Sequence, residues 1–156
     1  MQAVVLERPG GPEALVYVTT PDPVPGAGKV LVELRAAAVN RRDALVRSAA
    51  GPAYVFPLPL ILGSDGAGVR RDTGEDVVIL PGLHWGPSEA VAGPDFRIVG
   101  GPGDGTYAEL IAVPQANVFP RPPASRGRRR RRCPWRRSRP TARCSPLGSC
   151  AVGSAR

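Results

Sequence analysis

Apolar positions in this chain fall in short runs that alternate with polar ones, and glycine or proline punctuates nearly every run. Gln2–Glu7 and Leu15–Thr19 flank Pro9-Gly10-Gly11-Pro12, which predicts strand, turn and strand. Pro21-Asp22-Pro23-Val24-Pro25-Gly26 has few free N–H groups and predicts an extended connection. Across Lys29–Val39, Val30 and Val32 alternate with polar neighbours, as in a half-buried strand. Arg41–Ser48 predicts two helical turns, with Asn40 as N-cap and Asp43 in the first turn. Pro57, Pro59 and Gly63 then forbid a long helix. Gly66–Arg70 and Asp76–Leu80 read as strands around an Asp72-Thr73-Gly74 turn. Phe96–Val99 and Thr106–Val113 read as a further pair, and Asn117–Phe119 as a last short strand. Many short strands, one or two short helices and no βαβ rhythm predict a mainly β fold, a closed or partly open barrel.

Charge divides the chain in two. Residues 1–123 hold all thirteen acidic residues and ten Lys/Arg, a formal −3; residues 124–156 hold eleven Arg and no acid, a formal +11. The net +8 and pI near 10.6 therefore describe neither part. A stretch of 123 residues suffices for one core, so a domain over 1–123 and a disordered basic tail over 124–156 are expected. The opening MQAVVLERPGG lacks the basic and continuous apolar regions of a signal peptide, and no apolar run is long enough to span a bilayer. A soluble, cytoplasmic protein without a membrane partner is the expectation.

Two glycine clusters invite a nucleotide-binding reading. Gly101-Pro102-Gly103-Asp104-Gly105 leads into Thr106-Tyr107-Ala108-Glu109-Leu110-Ile111, which alternates like a strand, whereas a dinucleotide loop must open a helix. A hairpin loop is expected there. Gly63-Ser64-Asp65-Gly66-Ala67-Gly68 also precedes a strand, so its glycines are expected to permit a tight turn and close backbone approach. His84, the only histidine, has no nucleophile-elbow motif to serve and is expected in a loop or partly buried. The body has no cysteine, and Cys133, Cys144 and Cys150 are spaced eleven and six apart, which is no metal-ligand pattern. No metal site is expected, and these residues alone identify no catalytic group.

Four segments, in order, carry a resemblance: MQAVVLERPGGPEAL, PDPVPGAGKVLVELRAAAVNRRD, PLPLILGSDGAGV and GTYAELIAVPQANVFPRP. Together they span nearly all of residues 1–122 and resemble the GroES-like N-terminal domain of the medium-chain dehydrogenase/reductase superfamily, in its zinc-free quinone-oxidoreductase-like branch. Zinc-dependent members have a Cys at the position of Asn40 and a His at that of Ser64, so the resemblance implies no catalytic zinc. The four-cysteine structural-zinc lobe is also missing. The Asn matching Asn40 is expected near the nicotinamide ribose of NAD(P)H. Asp43 and Asp65 are implied to line or brace the substrate cleft, with a cap or turn hydrogen bond as the alternative for each. A tyrosine common two residues after the Asp43 position is Leu45 here, and Tyr54 is the candidate to compensate. The implied reaction is hydride transfer to a small-molecule quinone, enone or carbonyl. The family's cofactor domain follows this one, and residues 124–156 show no strand–glycine-turn–helix unit for it. A truncated reductase, inactive alone and binding NAD(P)H weakly, is therefore expected.

The basic tail admits two readings. Arg128–Pro146 can be back-translated so that a neighbouring frame encodes an alanine-rich helix, which makes the tail out-of-frame translation from near Pro122–Ser125. Alternatively, the chain is a basic-tailed β-domain whose arginines bind nucleic acid through phosphates, with Trp135 available to stack on a base. The pattern leaves oligomeric state open.

Overall fold

The computed structural model describes residues 1–122, together with the backbone of a short antiparallel pair, β11 (Arg143–Cys144) and β12 (Cys150–Ala151). The remaining expectations for the basic segment lie outside the described residues.

Residues 1–122 are mainly β. A three-stranded sheet has the order β2-β1-β4, from β1 (Gln2–Leu6), β2 (Leu15–Thr19) and β4 (Leu60–Ile61). A five-stranded sheet curls into a half-barrel in the order β10-β6-β5-β3-β9, from β3 (Lys29–Ala38), β5 (Asp65–Arg70), β6 (Asp76–Ile79), β9 (Leu110–Pro114) and β10 (Val118–Pro120). A small pair, β7 (Gly82–Leu83) with β8 (Arg97–Ile98), completes the described strands of this part. The one α-helix among the described residues, α1, is Arg41–Arg47, and three single 3-10 turns begin at Pro12, Pro52 and Gln115. Within the described residues no helix is long and apolar enough to cross a membrane.

Alternation explains the larger sheet. Val30, Val32, Val77, Ile79, Ile111 and Val113 project to one side and form its core with Val99, which follows β8, each removing apolar surface from water. Leu6, Ala14, Val46, Leu60 and Leu62 make a second core beneath α1. The C-terminal carbonyl of that helix, on Arg47, accepts from the Gly10 N–H at 2.9 Å, which ties α1 to the β1–β2 turn.

The β3–β5 register brings two of the motif-bearing segments together. Leu34 pairs with Gly68 and Ala36 with Ala67, so Arg35 is the extra residue of a bulge. Beyond it Ala38 faces Asp65, which sets the start of α1 beside the start of β5. The Asp72-Thr73-Gly74 turn forms as expected between β5 and β6.

Three expectations need correction. Phe96–Val99 and Thr106–Val113 do not pair as strands: β8 pairs with β7, and β9 pairs with β3. Regular strand starts only at Leu110, because Thr106 and Tyr107 instead donate backbone N–H groups to Gly63 and Leu62. Gly101–Gly105 is therefore no hairpin loop. It is tied to β4, with Gly105 N–H on the Ile61 carbonyl at 2.8 Å and the Asp104 carboxylate accepting from the Ile61 N–H at 3.2 Å, and Gly105 packs against the Gly63 carbonyl of the other glycine cluster. The close approach expected of that cluster is found: Gly63 has φ +93°, and a side chain there would strike Thr106 and Tyr107.

Candidate functional site

The helix start supplies most of the site. Asn40 is the N-cap of α1, and its backbone N–H donates to Asp43 Oδ2 at 2.7 Å, the returning bond of a capping box. Its side-chain amide crosses to the other segment and donates to Asp65 Oδ2 at 3.1 Å. Because a carboxylate only accepts, the NH₂ of Asn40 faces Asp65 and its Oδ1 is turned to the Asp43 backbone N–H, the other half of the capping box. Asp43 also accepts from the Tyr107 hydroxyl at 2.8 Å, and Thr106 Oγ1 donates to the Asp65 carbonyl at 2.9 Å. Asp43 and Asp65 are both buried, at 4% and 0% exposure. Burial, then the bond to Asp43, pushes the Tyr107 phenol far above its ordinary pKa, so it remains a donor.

Ser64 is buried too, and Arg42 reaches it. The guanidinium donates from Nη1 to Ser64 Oγ at 3.4 Å and to the Gly100 carbonyl at 3.2 Å, and from Nη2 to the Gly101 carbonyl at 3.4 Å. It lies 5.5 Å from the centroid of Phe56, in cation–π contact. Burial lowers the Arg42 pKa, and neighbouring Asp43 partly opposes that shift.

Arg42 opens onto a pocket of about 880 Å³. Leu45 and Tyr54 line it, along with Phe56 and Phe96. Trp85 supports Phe96 edge-on, with ring centroids 5.1 Å apart. Thus the structure gathers the expected residues into two adjoining groups. Leu45 and Tyr54 form pocket wall, while Asn40, Asp43 and Asp65 form a hydrogen-bonded brace behind Arg42. Asp43 makes the cap bond of the alternative reading and braces Tyr107 as well. His84 stands apart, exposed at the end of β7 with φ +54° and lining a different cavity of about 370 Å³.

Sequence reasoning missed Arg42, Tyr107 and Phe56. A signal for Arg42 was present: positions 42, 45 and 46 share one helical face, and Val46 is apolar. Tyr107 carried no such signal, because its partner Asp43 is 64 residues away.

The alcohol dehydrogenase GroES-like domain family matches residues 26–123. The chain is 35% identical over 121 residues to the trans-enoyl reductase tndF of Aspergillus flavipes, covering 78% of this chain and 34% of that protein. It is 31% identical over 120 residues to the trans-enoyl reductase tazE of Aspergillus terreus, covering 77% of this chain and 39% of that protein. It thus spans little more than a third of these relatives' length. Among solved structures, an NAD-dependent alcohol dehydrogenase is similar at 40% identity and a TM-score of 0.70, over 78% of this chain and 40% of that one. The quinone oxidoreductase of Thermus thermophilus, solved also with NADPH, is similar at 28% identity and a TM-score of 0.64, over 87% of this chain and 37% of that one. The chain belongs to the alcohol dehydrogenase GroES-like domain family of the medium-chain dehydrogenase/reductase superfamily.

Proposed function

We propose that this chain supplies the substrate side of a zinc-independent, NAD(P)H-dependent reductase acting on a quinone, enone or carbonyl compound. The observation that carries the reading is the Asn40–Asp65 and Arg42–Ser64 pairing beside an aromatic-walled pocket. The reduced nicotinamide, when bound, supplies the hydride. Asn40, oriented by Asp65, has on Oδ1 a second lone pair besides the one turned to the helix start, an acceptor suited to a ribose hydroxyl. Leu45, Tyr54, Phe56 and Phe96 would hold a planar substrate and exclude water from it.

The donor set does not suit zinc. Asn40 commits its amide to Asp65, Ser64 faces the Arg42 cation, and the described residues hold no group of three His, Cys, Asp or Glu side chains able to bind a metal. A second cation beside Arg42 would be repelled. The similarity to solved zinc-bound alcohol dehydrogenases, such as that of Pyrobaculum aerophilum at 31% identity, is a likeness of fold and does not supply ligands here.

The test is a chimera in which residues 1–122 replace the matching domain of the Thermus thermophilus quinone oxidoreductase. It should oxidise NADPH with a quinone or enone and be indifferent to chelators, while the chain alone should show no turnover. A folded, NADPH-binding chimera that is inert to all three substrate classes, or that loses turnover on chelation, overturns the reading.

A further inference from the structure

The pocket beside α1 joins three aromatic side chains, Tyr54, Phe56 and Phe96, to arginines from two different elements, Arg42 of α1 and Arg97 of β8, which also lines the cavity beside His84. Arg41 adds a third positive charge to the lining, and no acidic side chain lines the pocket. None of these arginines has an ion-pair partner among the described residues, and residues 124–156 contain no acidic side chain that could provide one. Arg42 spends three hydrogen bonds on Ser64, Gly100 and Gly101, which leaves Nε–H and one Nη2–H of its five donors without a partner among the described residues. An apolar pocket walled by arginine forks, with Asp43 acting on Arg42 from outside the lining and no carboxylate in it, favours a ligand that brings its own negative charge.

We propose that this pocket selects a flat, apolar substrate bearing an anionic group, a carboxylate or phosphate monoester, anchored by Arg42 and Arg97. The aromatic side chains receive the body of the molecule and the two guanidinium groups hold its charged end. This deepens the reductase reading by naming the substrate class, and it rests on that reading of the pocket. Binding of the anion itself needs neither dinucleotide nor turnover. An inert chimera with intact anion selectivity would therefore sink the reductase reading alone.

The experiment is calorimetric titration of the full chain with naphthalene carboxylate, naphthyl phosphate and the isosteric neutral naphthalene carboxamide, with amide NMR shifts locating the site. At least one anion should bind about tenfold more tightly than the carboxamide, as charge-assisted bonds are worth about twice neutral ones. The better of the two anions distinguishes a carboxylate from a phosphate anchor. The Arg97 side chain is exposed and makes no hydrogen bond or ion pair within the described residues, so Arg97→Gln should fold normally. That variant should lose most of the anion preference, its carboxamide affinity falling much less than its anion affinity because the amide makes only a neutral-acceptor bond there. Equal affinity for charged and neutral probes overturns the proposal. So does an anion that binds Arg97→Gln and Arg42→Met as tightly as the parent, which would place it on the basic tail.

Discussion

The Asn40 side-chain amide donates to the Asp65 carboxylate at 3.1 Å, and this bond joins the start of α1 to the start of β5. The β-bulge at Arg35 and the Ala38–Asp65 register make it possible, since they bring two segments 25 residues apart in sequence to one point.

Asn40 therefore has two tasks, and substitution separates them. Asn and Asp are equally good N-caps. If capping were the whole contribution, Asn40→Asp would be neutral. Because the amide also donates to a fully buried carboxylate, Asn40→Asp should destabilise more than Asn40→Ala, by placing two carboxylates together. The Ala variant should cost about 2 kcal/mol, the usual worth of a hydrogen bond to a charged group. Urea midpoints at an unchanged m-value would measure both. Equal stability of the Asp variant and the parent would refute the bridging role.

Tyr107 gives a pH signature. Burial, followed by the Asp43 bond, raises its folded pKa above the ordinary 10.0. The folded state thus keeps the proton at a pH where the unfolded chain releases it. The stability this contributes is fully present below pH 10.0 and declines as pH rises beyond it. Tyr107→Phe should cost about 1.5 kcal/mol at neutral pH, through loss of the bond to Asp43. It should also flatten the fall in stability above about pH 10. Denaturation curves of both proteins on either side of that pH decide it, and parallel alkaline losses would exclude Tyr107 as the source.

What the sequence disclosed follows from the range of the interactions. β1, β2, β3, α1 and the β5–β6 turn were legible because alternation, caps and glycine turns are local signals, and each is written within about ten residues. The Asn40 cap and Asp43 in the first turn fell into place for the same reason. The pairing of β8 and the route of Gly101–Tyr107 were not legible, because both depend on contacts with Gly63 and Pro81 across the fold. Of the site, Asn40, Asp43, Asp65, Leu45 and Tyr54 came from motif resemblance. Arg42 and Tyr107 emerge only where side chains meet in space.

Arg42 should act through its forked shape as much as through its charge. It holds the Gly100 and Gly101 carbonyls and Ser64 together, a geometry that a lysine ammonium on a flexible stem cannot reproduce. Arg42→Lys and Arg42→Met should therefore destabilise similarly, by about 1–2 kcal/mol. Thermal unfolding of the two variants checks this. A lysine variant as stable as the parent would reduce the role of Arg42 to charge alone.

The contact between the two glycine clusters can be tested by adding one methyl group. A Cβ at Gly105 would run into the Leu62 and Gly63 carbonyls, which are backbone atoms held by their own hydrogen bonds and unable to swing aside. Gly105→Ala should thus cost about 3 kcal/mol or more, at the upper end of overpacking, and disturb the loop that carries Tyr107. Gly103 is two residues earlier in the same cluster, and a Cβ there would meet nothing within 4 Å. Gly103→Ala should stay within about 0.5 kcal/mol of the parent, as surface substitutions usually do. Composition and local sequence treat these two glycines alike, so only their packing can separate the variants. Equal urea midpoints for the two would mean that the clusters do not pack against each other, and the route from Gly63 to Tyr107 would have to be redrawn.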